Sequence, residues 1–335
     1  MTDPITILEA AYSLAGSEHE WLERLTEVAL PSLGRGHGLV GYTYDATRLD
    51  RLPIRATVHR NVDERVVDAA SRAGLRESES AYLVPILRRT FVDTLGNSPR
   101  VLQRIGLGDR RVREFDLGIR KFFEEWGLAD QFWVNAQDPT YFGVCFVASS
   151  SKKSRWQPRE REQWRCIAAH MVTAFRIRRQ LSQELKSNDA TAEGPGPEAI
   201  LAPDGRLEHA EQPAQGDAAR AALRRAVLSM DRARGGLRRE DPVHAVALWR
   251  ALVAGRWSLL DHFDSDGRRF VVAHRNDAKV PDRRGLSARE QQVLAHASIG
   301  HSNKAIAYEL GLSISTVATH LANARAKINA LPAPR

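Results

Sequence analysis

The feature that most constrains the fold is a polar stretch near the C-terminus, residues 285–329, which contains serines at intervals. It predicts three short helices, and a serine that can cap the first turn precedes each of them: Ser287, Ser302 and Ser313. Gly311 separates the second helix from the third, because glycine enters a left-handed turn at little cost. A short helix, a glycine turn and a further helix form the helix-turn-helix arrangement, which places its last helix in a DNA major groove. The stretch therefore predicts an all-α DNA-binding domain.

Apolar residues recur at helical spacing within these three segments. In the first, Glu290 can close a capping box with Ser287, because each side chain reaches the backbone N–H of the other. In the third, the apolar stripe consists of Val317, Leu321, Ala324 and Ile328. A small helical bundle used only for packing is the alternative interpretation, but it would not need polar sets such as TVATH and SNK.

The segments LSAREQQVL and GHSNKAIAYELGLSISTVATHLANARAKI resemble the DNA-binding domain of the LuxR/NarL family of bacterial transcription regulators. The order of the elements, the SNKAIA turn and helix, the LGLS turn and the TVATH start of the last helix all agree. The resemblance implies double-stranded DNA as the partner of this domain, with RNA polymerase as a further candidate partner.

The resemblance also implies roles for individual residues. Eight positions correspond to DNA contacts: Lys304, Ser315, Thr316, Ala318, Thr319, His320, Asn323 and Lys327. Of these, Lys304 and Thr316 occupy positions at which the family contacts phosphates, close to helix N-termini whose backbone dipoles favour anions.

On the groove-facing side of the third helix this sequence departs from the family. The family often carries Lys, Arg or Asn where this chain has Ala318 and Ala322. Base reading would therefore rest on Thr319, Asn323 and apolar contacts with thymine methyl groups. For His320, a DNA contact and a packing contact at the foot of the helix are two alternatives that stay open.

A dimer contact is expected upstream of this domain. In the family a fourth helix usually contributes to dimerisation, whereas this sequence continues into Ala-Leu-Pro-Ala-Pro-Arg, whose prolines cannot build a helix. The long helix predicted after Pro158 has apolar residues close to heptad spacing, and its residues 176–186 have no evident partner within their own domain. We therefore expect a homodimer joined by a parallel pair of these helices, while packing onto its own sheet explains residues 164–175 equally well.

The charge is distributed unevenly along the chain. The net charge is +8, and residues 1–150 carry 18 Lys and Arg against 21 Asp and Glu. The positive surplus therefore lies in the second half, as expected for the half that meets phosphate.

The remaining composition sets the class of protein. A length of 335 residues predicts two or three domains. No run of about 18 apolar residues predicts a membrane span, and the start MTDPITILEA lacks a secretory signal. Two distant cysteines, Cys145 and Cys166, predict neither a disulfide framework nor a metal pair. We expect a cytoplasmic protein without a membrane partner.

The first part of the chain predicts an α+β domain. Helices are expected within residues 5–30 and near 62–73, 78–90 and 110–127. Strands are expected at 39–45 and 52–59, and a hairpin is expected to join DQFWVNAQ to YFGVCFVAS. This order of elements resembles a GAF-type sensory domain, an antiparallel sheet with helices packed on it.

Such domains often hold a small molecule over the sheet, which makes the strand aromatics candidates for a ligand pocket. The candidates are Tyr42, Tyr44, Trp133, Tyr141, Phe142 and Phe146. Aromatic residues on strands are, however, more often plain core.

The middle of the chain predicts a smaller module. A hairpin around Asp204 and Gly205 resembles the opening of a PAS domain, and a second hairpin is expected around Asp266 and Gly267. The whole chain is thus interpreted as an α+β multidomain protein with five parts: a GAF-like sensory domain (1–157), a connecting helix (158–186), a linker (187–198), a reduced PAS-like module (199–279) and the LuxR-type domain (283–330).

No catalytic or metal-binding residue is predicted, and no cofactor is identified. The first domain has no recognised pairing of a nucleophile with a base, and His37, His59 and His170 lack metal-ligand spacing. A receiver domain is not expected, because an acidic pair followed by alternating βα units is missing. We therefore interpret the chain as a non-enzymatic regulator whose N-terminal region senses an unknown small molecule or a partner. Two alternatives stay open: an enzyme-like sensor that turns over its ligand, and a regulator whose two sensory domains are ligand-free scaffolds controlled by a partner protein.

Overall fold

The computed structural model describes nine stretches of the chain: residues 3–34, 37–48, 51–65, 92–96, 124–153, 156–187, 196–278, 286–298 and 300–329. The chain divides into two compact units, Met1–Val172 and Thr173–Arg335. This boundary falls inside the predicted long helix, so the five-part division stays a prediction. Several predicted segments lie wholly or mostly outside the described residues: the helices at 62–73, 78–90 and 110–127, the linker at 187–198 and the C-terminal Ala-Leu-Pro-Ala-Pro-Arg.

Two helices, α1 (Pro4–Tyr12) and α2 (Glu18–Leu33), open the first unit. The α2 helix begins at a reciprocal capping box, because the Glu20 N–H donates to Ser17 Oγ at 3.2 Å and the Ser17 N–H donates to the Glu20 carboxylate at 2.6 Å. Trp21 is completely buried, and its indole N–H donates to the Ala11 carbonyl at 2.8 Å. This bond ties α2 to α1.

The first unit contains a five-stranded antiparallel sheet in the order β2-β1-β5-β4-β3. Its strands are β1 (Leu39–Asp45), β2 (Ile54–Arg60), β3 (Val92–Gly96), β4 (Asp130–Gln137) and β5 (Phe142–Ser150). The β4–β5 pair is the predicted hairpin, with Trp133 opposite Val147. A sheet with helices agrees with the predicted mixed α and β architecture, whereas the GAF-type identity stays a prediction.

The two faces of this sheet carry different cores. On one face Gly41 gives room to Phe146, because a Cβ at Gly41 would lie 2.9 Å from the Phe146 ring and 2.6 Å from the Thr26 hydroxyl of α2. Phe146 is therefore part of the core next to α2. On the other face Tyr42 and Tyr44 belong to a separate buried cluster.

A four-stranded antiparallel sheet in the order β7-β6-β9-β8 forms the first part of the second unit. Its strands are β6 (Ala199–Leu201), β7 (Leu207–Ala210), β8 (Trp257–Phe263) and β9 (Arg269–Arg275). Both predicted hairpins are present, and their turns contain Gly205 at φ +80° and Gly267 at φ +75°. Between them lie three helices, α4 (Asp217–Arg234), α5 (Leu237–Glu240) and α6 (Pro242–Leu248). We call this part the middle module; its PAS-like identity stays a prediction.

The predicted three-helix domain follows, with α7 (Ala288–Ser298), α8 (Asn303–Leu310) and α9 (Ile314–Asn329). Each helix contributes to one buried cluster, for example through Val293, Ile306 and Val317. The predicted apolar stripe of α9 is largely confirmed, since Val317, Leu321 and Ala324 are buried.

The predicted long helix is α3 in chain order, is called αL below, and spans Pro158–Ser187. Arg176, which was expected to have no partner within the first domain, is buried, and its Nε–H donates to the backbone and side-chain oxygens of Asn276 in the middle module at 3.0 and 3.1 Å. Ile177 and Arg178 are buried as well. A parallel dimer helix therefore stays a prediction, and its argument applies only to residues beyond Arg178.

In the stretches that the structure describes, every helix is too short or too polar to cross a membrane.

Candidate nucleic-acid interface

Local hydrogen bonds fix the start of each of the three C-terminal helices. Glu290 N–H donates to Ser287 Oγ at 3.3 Å, Ala305 N–H to Ser302 Oγ at 3.2 Å, and Thr316 N–H to Ser313 Oγ at 3.0 Å. These are the three serine caps that the sequence predicted, and each satisfies a backbone donor that a helix start leaves without an intrahelical partner.

The turn between α8 and α9 depends on Gly311. It lies at φ +63° and ψ 34°, and its N–H closes the end of α8 by donating to the Tyr308 carbonyl at 3.2 Å. The next N–H, of Leu312, donates to the Ala307 carbonyl at 2.9 Å. These bonds end α8 in a left-handed cap and set the direction in which α9 leaves.

The α9 helix presents a row of exposed small and polar side chains. Ser315, Ala318, Thr319, Ala322 and Asn323 are all exposed, at the spacing of one helix face. The Thr319 hydroxyl donates to the Ser315 carbonyl at 3.0 Å, which leaves its oxygen as an acceptor. The structure thus brings the predicted base-reading residues onto one open surface, which we call the reading face.

The two predicted phosphate-contacting residues differ in their surroundings. Lys304 is exposed in the first turn of α8. Thr316 is half-buried, and its hydroxyl lies 2.7 Å from Ser313 Oγ in the cap of α9. His320 is also half-buried, so the choice between a DNA contact and a packing contact stays open.

Lys327 has an intramolecular role that the sequence did not suggest. Its Nζ donates to both carboxylate oxygens of Glu290, at 3.0 and 2.8 Å. The hydrogen bond from Lys327, together with that from the Ser287 backbone, lowers the pKa of the Glu290 carboxyl. Lys327 therefore links the end of α9 to the start of α7. To contact DNA as predicted, Lys327 must either leave Glu290 or bind the carboxylate and the DNA at the same time.

Arg325 is a basic residue that the sequence analysis overlooked. It is exposed on α9 and follows Ala318 and Ala322 at positions i+7 and i+3, so it continues the reading face. The helical spacing of these three residues was the available signal. A guanidinium at this place can contact a phosphate or a guanine edge.

The middle module packs against the helix-turn-helix domain. Leu252 belongs to the same buried cluster as Val293 and Ile306. The Tyr308 hydroxyl lies 2.9 Å from the Val246 carbonyl and 3.0 Å from the Trp249 carbonyl. Within this second unit, α8 is therefore held by apolar packing and by hydrogen bonds, while the reading face of α9 stays open.

The six aromatic residues predicted to line a ligand pocket do not lie together. Tyr42, Tyr44, Trp133 and Tyr141 share one cluster on one face of the first sheet. Phe146 packs on the opposite face, as described above, and Phe142 lies on that side too, with the Arg55 guanidinium 5.9 Å from its ring centre and bonded to Glu18 of α2. The six candidates are therefore divided between the two faces of the sheet, and a ligand pocket stays a prediction.

Two buried amide side chains contact the hydroxyl of Tyr44. Its hydroxyl donates to Asn135 Oδ1 at 2.7 Å and lies 3.3 Å from Gln137 Nε2, and all three side chains are buried. Cys145 belongs to the same cluster, and burial raises the pKa of its thiol to about 12. Polar groups in such a place hold neighbouring strands in a fixed register or orient a bound molecule.

Three further side chains converge inside the C-terminal domain: His296, His301 and Glu309. The sequence analysis predicted no metal-binding residue and missed this group. The two histidines are five residues apart across a helix end and the glutamate lies in the next helix, so only the fold brings them together.

The comparisons with known proteins bear on the C-terminal domain. A search of curated proteins finds no match to the chain. Residues 284–331 match the family described as "Bacterial regulatory proteins, luxR family". This segment contains the three capped helices and the whole reading face. The match supports the interpretation of residues 284–331 as the helix-turn-helix domain of a LuxR-type DNA-binding regulator.

Proposed function

We propose that this protein is a cytoplasmic, sequence-specific transcription regulator whose N-terminal region controls a LuxR-type DNA-binding domain. One observation carries the proposal. The reading face of α9 is exposed next to a capped α8–α9 turn, in a segment that is similar to the luxR family. Open polar side chains on a helix of this kind are suited to the major groove.

The chemistry and the exposure of the side chains indicate which residues contact bases and which contact phosphates. Thr319 and Asn323 offer hydrogen-bonding groups to base edges, and Ala318 and Ala322 offer methyl groups to thymine. Lys304 offers a positive charge to a phosphate, which positions the domain without reading sequence.

The test begins with selection of binding sites from a random pool of duplex DNA by the full-length protein. On the selected site, Lys304→Ala should lower affinity for all sequences alike and reduce the salt slope by about one. Asn323→Ala should change the sequence preference, because it removes a base-edge partner. Lys153→Ala, at an exposed lysine of the first unit, is the matched control and should change neither property.

Selection of no preferred sequence would contradict the proposal. So would equal changes in preference from Lys304→Ala and Asn323→Ala, since a phosphate contact carries no sequence information.

For the sensory input, we propose the cluster of Tyr42, Tyr44, Trp133 and Tyr141 as the place where a small molecule binds in the GAF-like domain. The PAS-like middle module then transmits, and binding shifts the population between two states of a homodimer. A native mass spectrum beside a denatured one tests this input. An excess mass that is lost on denaturation identifies a bound molecule, and the same spectrum reports whether the protein is a dimer.

Control by a partner protein is the second candidate for the input. Complete burial of Tyr44 and Cys145 favours it, because fully packed side chains are typical of a filled core. In this case the native mass equals the chain mass, and replacing Trp133 by Phe leaves the regulated expression of a reporter gene unchanged.

A further inference from the structure

Three side chains from three neighbouring segments meet inside the helix-turn-helix domain. His296 lies near the end of α7, His301 lies in the turn before α8, and Glu309 lies in the last turn of α8. The exposed fractions of these side chains are 8%, 7% and 9%. A surface cluster of histidines would be solvated, whereas these groups are withdrawn from water together.

One ring nitrogen of each histidine lies close to the carboxylate of Glu309. His296 Nδ1 is 2.8 Å from one carboxylate oxygen of Glu309, and His301 Nδ1 is 3.1 Å from the other. The two Nδ1 atoms are 3.4 Å apart. The potential ligand atoms of the three side chains therefore all lie within 4.8 Å of one another.

These separations fit the coordination shell of a small ion. In tetrahedral zinc sites the metal lies about 2.0–2.1 Å from each imidazole nitrogen, which places two ligand atoms about 3.3–3.4 Å apart. The Nδ1–Nδ1 distance already has this value, whereas the two nitrogen–oxygen distances are shorter than it, so the carboxylate would need to move by up to about 0.6 Å. Two imidazoles and one carboxylate form a ligand set that suits zinc, nickel, copper or iron better than calcium or magnesium.

We propose that His296, His301 and Glu309 bind one divalent transition-metal ion of the zinc class. The Nδ1 atoms of both imidazoles are ligands, and each ring then carries its proton on Nε2. Glu309 supplies one oxygen or both, and a water molecule completes the shell if it supplies one. The role of the ion is structural, because it would join the end of α7 to the turn and to α8, which together position α9.

The alternative is a metal-free triad in which each imidazole donates an Nδ1–H to one oxygen of Glu309. The pKa of Glu309 lies well below its ordinary value: burial alone would raise it, but the charges of His301 and His296 lower it by more. Such a triad also holds α7 and α8 together. Binding of a metal distinguishes the two arrangements, because the triad takes up no ion.

The experiment uses the full-length protein without a histidine tag, stripped by a chelator and dialysed. Zn²⁺ titration by calorimetry, followed by metal analysis after gel filtration, should give one ion per chain and a higher melting temperature. His301→Gln should lose this ion: removal of a direct ligand should lower the affinity by more than the roughly 10–100-fold that loss of an outer-shell partner costs. His209→Gln, at an exposed histidine, is the matched control and should keep the ion.

Co²⁺ in the wild-type protein gives a second measurement that does not depend on a variant folding. Intense visible absorption bands of four-coordinate Co²⁺, without the near-ultraviolet bands of a thiolate ligand, support the site. The weak spectrum of hydrated Co²⁺ overturns the proposal, as does stoichiometric Zn²⁺ binding that a folded His301→Gln variant retains. Neither measurement involves DNA, so failure of the metal site is distinguishable from failure of the proposed regulatory function.

Discussion

At the scale of single residues, Gly311 meets two requirements that no other residue type meets together. Its φ of +63° lies in the left-handed region, and a Cβ at this position would overlap the carbonyl oxygen of Leu252 in the middle module. The first requirement is local and disfavours any side chain. The second is a close approach between two parts of the chain, so the glycine serves both the turn and the packing behind it.

Gly311→Ala should therefore lower the free energy of unfolding by more than the about 1–2 kcal/mol that a left-handed backbone costs an L-residue. Gly267→Ala is the matched control, because Gly267 has a φ of +75° but open space where its Cβ would lie. Urea unfolding followed by circular dichroism measures both variants. Equal losses in the two would mean that the approach to Leu252 relaxes without cost.

The two cysteines should differ sharply in reactivity. Cys145 is completely buried and burial raises its thiol pKa to about 12, so at pH 8 almost none of it is the reactive thiolate. Cys166 is only partly buried. Iodoacetamide at pH 8 should label Cys166 first, with the sites assigned by peptide mass spectrometry. Faster labelling of Cys145 would show that the cluster around Tyr44 opens in the native state.

At the scale of elements, α8 is held against the middle module by Leu252, which is 3% exposed and packs with Ile306 and Val317. Leu252→Ala removes buried apolar atoms and should cost about 2–5 kcal/mol. Leu228→Ala is the matched control, because Leu228 on α4 is 43% exposed and its truncation should cost little.

The melting behaviour of Leu252→Ala also shows whether the helix-turn-helix domain and the middle module unfold together. If the helix-turn-helix domain and the middle module unfold together, Leu252→Ala should lower one shared transition in thermal melts. A new, separate low-temperature transition for the DNA-binding helices, with the rest unmoved, would show that the two parts are independent.

The elements were predictable from sequence where their causes are local. The three serine caps, the Gly311 turn and the hairpins with Gly205 and Gly267 rest on residues close in sequence to what they stabilise, so pattern and propensity suffice. The family resemblance then indicated which residues of α9 form the reading face, because helical spacing from the capped start of α9 determines which residues lie on the same side of the helix.

Contacts between distant residues were not predictable in this way. Lys327 reaches Glu290 across the domain, and Leu252 enters a core that the sequence assigns to another part of the chain. Phe146 and Tyr42 both lie on strands, and only the register and the position of α2 assign them to opposite faces. Such pairings depend on how elements pack, which a period of two or of 3.6 residues does not specify.

At the scale of the whole molecule, the buried Asn276 ties αL to the middle module within the second unit. Its amide Nδ2–H groups donate to the Thr173 carbonyl at 2.9 Å and to Ser258 Oγ at 2.7 Å, while its oxygens accept from Arg176. These bonds join residues 173–176 of αL to β8 and to the residue that follows β9.

Asn276→Ala should lower the stability of the second unit by about 1–3 kcal/mol, because it leaves buried polar groups without their partner. For a unit of this size that corresponds to a melting temperature lower by about 2–4 °C per kcal/mol. Because Met1–Val172 is a separate compact unit, the temperature at which Cys145 becomes open to alkylation should stay unchanged. Calorimetry and thiol labelling on the same sample measure the two effects. If Cys145 becomes reactive at a temperature lowered by the same amount, the two units unfold as one cooperative body.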